Sequence, residues 1–154
     1  MRILILAMLQ EEIIKKLPYD APFLFVDNII HVSEDCIKGD YTLKQSEYFY
    51  KGHFRDNPIT PGVILTEIMA QIGVACLGIF LFRNELDNQT IGVAMSNTNI
   101  DFYKPVLPSE KVFVVSEKEY FRFNKLKCKV SMYNEKDVVV AKGTISGMVK
   151  PWNA

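Results

Sequence analysis

Residues 61–82 read PGVILTEIMAQIGVACLGIFLF, and this stretch decides the architecture. Pro61 suits the first position of a helix, where no N–H is needed, and the Thr60 hydroxyl stands where it can cap that helix. Apolar residues then fall on every face, so the helix must be enclosed, either by lipid or by protein. Glu67 and Gln71 within a window of about twenty residues argue against a bilayer span. The remainder of the chain reads as strand, over 90–104, 111–123, 126–134 and 137–149, with turns at Pro108-Ser109, Asn124 and Asn134-Glu135. In KLKCKVSMY the alternation turns Leu126, Cys128 and Val130 inward and Lys125, Lys127 and Lys129 outward. The expected fold is α+β, an antiparallel sheet wrapped around one long buried helix.

Upstream, residues 8–17 form a short amphipathic helix ended by Pro18, and 23–33 and 36–44 read as two strands joined at Glu34-Asp35. Residues 46–61, SEYFYKGHFRDNPITP, make a loop dense in aromatic and turn residues. No repeat, low-complexity tract or linker divides the chain, so one domain is expected over 1–154. The apolar stretch at 3–9 is short and runs into Glu11 and Glu12 with no small-residue cleavage site, which argues against a signal peptide. A cytoplasmic protein is expected. Residues 1–7 are either native or an extension upstream of a start at Met8.

The chain has 154 residues, 49% hydrophobic and 23% charged, an ordinary globular composition. Its 18 basic residues equal its 18 acidic ones, so no excess of cations is present to displace the counterions of a nucleic acid. Three cysteines without a CxxC suggest neither a disulfide framework nor zinc, and two histidines make a histidine metal centre improbable. No metal is expected.

One constellation has catalytic content. His53 lies in the loop just before the helix, Glu67 two turns into it, and Gln71 four residues further on the same face. A carboxylate on an apolar helix is costly to bury ionised, so it is either paired or holds its proton more tightly. Histidine is the side chain best poised for proton transfer near neutrality. Together they supply a base and an acid for one elimination, and the N–H groups at Gly62 can hold the oxygen of a developing enolate. Against this stand the ordinary roles of a loop histidine and of a helix glutamate at an interface. His31 reads as a strand residue without function.

At these residues a resemblance becomes specific. LPYDAPFLFVDNII, then YFYKGHFRDNPITPGVILTEIMAQIG, then IDFYKPVLPSE resemble the hot-dog-fold (3R)-3-hydroxyacyl-acyl-carrier-protein dehydratases of type II fatty acid synthesis. The likeness spans about 18–110, in the order G-H-F, N-P-I-T-P-G-V, E-I-M-A-Q. It implies that His53 takes the C2 proton, that Glu67 assists departure of the C3 hydroxyl, and that the Gly62 N–H polarises the thioester carbonyl. Gln71 would orient Glu67 or line the tunnel, and Val63 and Phe54 would contact substrate. The resemblance further implies no cofactor, a substrate on acyl carrier protein, and a homodimer or trimer of dimers whose sites take His and Glu from different subunits.

Three positions depart from the family pattern. Leu-Pro-His becomes Leu17-Pro18-Tyr19, G-H-F-P-G becomes Gly52-His53-Phe54-Arg55-Asp56, and P-G-D becomes Pro108-Ser109-Glu110. A specialised role in polyene, pigment or polyketide assembly is therefore weighed beside primary fatty acid synthesis. The rival functions are a hot-dog acyl thioesterase and a non-catalytic acyl-binding module. For the acidic carrier, the candidate cations are Lys104 and the group Arg122, Lys125, Lys127 and Lys129.

Overall fold

The computed structural model describes residues 2–86 and 91–151, and for 3–8 the backbone alone. Helix α1 (Arg2–Lys15) is followed by an extended segment and two short strands, β1 (Asn28–Val32) and β2 (Cys36–Thr42). A single 3-10 turn at Tyr48–Lys51 precedes the central helix α2 (Gly62–Leu81). Four longer strands follow: β3 (Ile91–Phe102), β4 (Lys111–Arg122), β5 (Lys125–Tyr133) and β6 (Val139–Pro151). All six strands form one antiparallel sheet in the order β1-β2-β4-β5-β6-β3.

The sheet curls around α2, which explains an all-apolar helix in a chain of balanced charge. By length and composition α2 is able to cross a bilayer, yet 78% of its most apolar window is buried inside the protein. Ile68, Met69 and Ile72 face the inward residues Val112, Val114, Leu126, Cys128, Val130 and Met132, all fully enclosed. The alternation expected along β5 is therefore present, with Leu126, Cys128 and Val130 inside. One long helix held in an antiparallel sheet is the hot-dog arrangement that the resemblance implied.

The helix is not uniform. It is α-helical over Gly62–Ala70, wound as a π-helix over Gln71–Cys76, and α-helical again over Leu77–Leu81. Ser116, buried on β4, donates to the Gly73 carbonyl at 2.9 Å within this wider turn. A Cβ at position 73 would lie 3.1 Å from that of Ser116, tighter than ordinary contact, so glycine eases the close approach of helix and sheet here. Such π segments concentrate near functional sites. This one begins at Gln71, one turn after Glu67.

Several expectations are corrected. Helix α1 begins at Arg2 rather than at residue 8 and ends at Lys15. The strand expected from 23 starts only at Asn28, because the Phe25 N–H is captured by the Gln71 side chain of α2 at 2.8 Å. Thr60 does not cap α2: its hydroxyl pairs with the Tyr50 phenol at 2.6 Å, and Pro61 occupies the cap position. Residue 90 of the expected third strand lies outside the described residues, as do 1, 87–89 and 152–154 of the expected domain. The β4–β5 turn falls at Phe123-Asn124, both left-handed with φ of 51° and 62°, which matches the twist of a two-residue hairpin.

Candidate active site

His53 is held by the main chain on both sides of its loop. The 3-10 turn delivers it, with its own N–H donating to the Phe49 carbonyl at 3.1 Å. Its carbonyl then accepts from the Ile59 N–H at 2.9 Å, while its ring Nδ1 meets the Ile59 carbonyl at 2.8 Å. A carbonyl oxygen only accepts, so Nδ1 carries the proton and the neutral ring leaves the Nε2 lone pair free. That is the tautomer a general base needs. Asp56, with φ of 58°, turns the loop where the family pattern has glycine. The buried Tyr50–Thr60 bond closes its neck, and the Phe54 ring lies stacked on the imidazole at 3.8 Å.

Glu67 is half-buried in a cleft of about 180 Å³, among Ala70 and Val74 of α2, Val93 and Met95 of β3, and Ile145 of β6. Burial among these apolar walls raises its pKa above the ordinary carboxylate value, and the bond from Gln71 opposes that rise in part. Gln71 Nε2 donates to Glu67 Oε1 at 3.3 Å and to the Phe23 carbonyl at 2.9 Å, while its Oε1 accepts from Phe25. Gln71 is wholly enclosed, at 0% exposure, with its amide spent on Glu67 and on the Phe23–Phe25 segment. A carboxyl that holds its proton in an apolar cleft is suited to give that proton away.

The N-terminus of α2 forms a second cleft, of about 310 Å³, lined by Thr60, Gly62, Leu65, Phe102, Tyr103 and Lys104. The first N–H groups to find partners in the helix are those of Ile64 and Leu65, both bonded to the Pro61 carbonyl. The Gly62 and Val63 N–H groups are thus the free donors at the positive end of the helix. The Phe102 ring packs over Gly62, where an added Cβ would meet it at 3.4 Å.

The structure thus brings Glu67 and Gln71 into bonding contact, and sets Gly62 and Val63 at one helix end. His53 is not among the residues lining either cleft. Val63 is 76% exposed, and Phe54, Met95 and Phe102 are exposed beside it in kind. Of the basic candidates, Lys127 and Lys129 face Glu119 at 3.5 and 4.0 Å, and Arg122 lies over the Tyr120 ring. Lys104 lines the cleft at the helix N-terminus. Among the described residues, no three His, Cys, Asp or Glu side chains gather as a metal site. Sequence reasoning missed Tyr19, whose ring forms a wall of the Glu67 cleft; its only signal was the departure from Leu-Pro-His.

Known proteins now add to this geometry. The model of the FabA-like domain matches residues 17–146. The 3-hydroxyacyl-acyl-carrier-protein dehydratase FabZ of Fusobacterium nucleatum is 31% identical over 140 residues, covering 90% of this chain and 94% of its own. That of Agrobacterium fabrum is 30% identical over 143 residues, covering 91% and 88%. That of Geobacter metallireducens is 41% identical over 102 residues, covering 66% and 67%. Among solved structures, the dehydratase heterocomplex ApeI:P from Xenorhabdus doucetiae superposes with a TM-score of 0.76 at 12% identity, covering 92% of this chain and 91% of that one. Cj0977, a sigma28-regulated virulence protein from Campylobacter jejuni, gives 0.66 at 13% identity, covering 94% and 92%. These two likenesses establish the shared hot-dog fold. The family match and the sequence relatives go further, and the chain belongs to the FabA-like family, beside the FabZ dehydratases to which it is 30–41% identical.

Proposed function

We propose that the protein dehydrates (3R)-3-hydroxyacyl thioesters on acyl carrier protein to trans-2-enoyl thioesters, in fatty acid synthesis or a related polyene or polyketide route. The observation that carries this reading is the pairing of chemistries: a histidine with Nε2 free, and a carboxyl whose burial favours the protonated form. His53 Nε2 takes the C2 proton, and the electrons of that bond form the C2–C3 double bond. The C3–O bond breaks as Glu67 gives its proton, and water leaves. The Gly62 N–H steadies the thioester oxygen while charge builds on it. The thioester itself acidifies C2, so the mechanism uses no cofactor or metal.

The functional unit in this reading is a homodimer. Strand β3 lies at the sheet edge, and its residues 94–99 are exposed. A twelve-residue edge with such a surface is a template for a second strand. In this reading pairing there covers Met95 and sets one copy's His53 to work with the other's Glu67; that His53 lines neither cleft of its own chain supports a site shared between subunits. Lys104, beside the helix N-terminus, is the cation best placed for an acidic carrier protein. The three free thiols agree with a reducing cytoplasm, and the enclosed helix agrees with a life away from the bilayer.

The test is incubation with crotonyl and 3-hydroxybutyryl thioesters. Gain or loss of enoyl absorbance supports dehydration, released thiol supports a thioesterase, and neither supports an acyl-binding module. His53→Ala and Glu67→Gln each lower turnover by about 10²–10⁴-fold, as removal of an acid–base group does.

A further inference from the structure

We propose, on the dehydratase reading above, that Tyr19 is the specificity-determining residue of this site: its ring closes the acyl end of the Glu67 cleft and restricts turnover to short chains. Tyr19 stands in the cleft wall with Glu67, and the rest of the lining is mainly aliphatic, from Ala70, Val74, Val93, Met95 and Ile145, with Ser146 the one further polar side chain. Such a mainly aliphatic lining suits a hydrocarbon chain. The cleft holds about 180 Å³. A dry cavity of about 150 Å³ takes one benzene, so this cleft accepts about six carbons before it is full.

Tyr19 is also held firmly enough to act as a stop. It packs on Phe23 at 6.4 Å between ring centroids, Phe23 on Phe25 at 5.0 Å, and Phe25 on Phe49 at 6.4 Å. This aromatic row ties the cleft wall to the 3-10 turn that delivers His53, so moving the ring aside disturbs several neighbours at once. Burial first, then the neighbouring Glu67 carboxylate, push the phenol up to about 12, so the wall stays uncharged over the working range.

The experiment compares kcat/KM for 3-hydroxyacyl thioesters of four to twelve carbons in the wild type, Tyr19→Ala, Tyr19→Leu and Tyr19→Phe. The wild type should decline steeply beyond about eight carbons, counting C1 and C2 outside a cleft that holds about six. Tyr19→Ala should extend the profile, gaining about fourfold for each further methylene seated, which corresponds to about 0.8 kcal/mol per buried CH₂. Tyr19→Leu, which keeps more of the wall and so guards against misfolding, should shift in the same direction by less. Tyr19→Phe should keep the wild-type profile. An active wild type whose profile is unmoved in a folded Tyr19→Ala or Tyr19→Leu overturns this inference alone. So does a Tyr19→Phe profile that moves as far as the alanine one, since the hydroxyl would then be the determinant. A wild type inactive at every length overturns the dehydratase reading, and this inference with it.

Discussion

Replacing Gln71 by Leu tests the hinge between fold and site. The amide satisfies two main-chain groups of the segment before β1, the Phe25 N–H at 2.8 Å and the Phe23 carbonyl at 2.9 Å. Leaving a buried polar group unpaired costs about 1–3 kcal/mol. Phe25 is fully enclosed and pays the larger share, whereas the Phe23 carbonyl is only partly buried. Together the losses come to about 2–4 kcal/mol, and the added apolar surface of leucine returns about 1. Thermal unfolding should therefore fall by roughly 3–10 °C for a chain of this length. The variant also strips Glu67 of the donor that holds its pKa down, so that pKa rises further. In the proposed mechanism Glu67 acts as the acid in its protonated form, so the alkaline fall of kcat should move to higher pH. An unchanged melting temperature together with an alkaline limb that stays or moves down would refute the reasoning.

Glu67→Gln should be inactive yet more stable than the wild type above the ordinary carboxylate range. The folded carboxyl holds its proton more tightly than the unfolded one, so wild-type stability falls as pH rises from that range through the raised pKa. Urea unfolding at pH 4 and pH 8 should show the two proteins alike at the lower value and the variant ahead at the higher. Ser109→Gly and Phe123→Gly should each stabilise by about 0.5–1 kcal/mol, since both residues sit in the left-handed region, at φ of 72° and 51°, and Phe123 is 93% exposed. A lower melting temperature in either would count against that assignment of strain.

How much of this was legible follows from the range of the forces involved. The enclosed helix was plain, because apolar residues on every face demand enclosure while Glu67 and Gln71 argue against lipid, and α2 spans Gly62–Leu81 against the expected 61–82. The strand alternation around Leu126, Cys128 and Val130 was equally local. What the chain concealed were side-chain bonds between distant segments. The run 23–27 has every mark of a strand, but Gln71 takes its Phe25 N–H and holds it against the helix. Thr60 has the sequence of a cap, but Tyr50 reaches its hydroxyl first. The π turn at Gln71–Cys76 leaves no pattern in the helix itself, since the Ser116 bond supporting it comes from β4. For the candidate site, the two residues of the proposed dyad could be named from the chain, whereas the tautomer of His53 depends on a carbonyl six residues away. Tyr19 became part of the cleft only once the segment after α1 was seen to lie beside Glu67.

The central claim is that two copies of this chain share a dehydration site, His53 from one and Glu67 from the other. The most direct measurement mixes the inactive His53→Ala and Glu67→Gln proteins under conditions that exchange subunits, then follows enoyl thioester formation. A mixed dimer pairs both lesions in one site and leaves the other site intact. Random exchange at equal concentrations makes half of the dimers mixed, so activity should return to about one quarter of the wild-type value per protomer. If the site lies within one chain, or if the pair does not carry the chemistry, the mixture stays as inactive as its parts, and the account is contradicted.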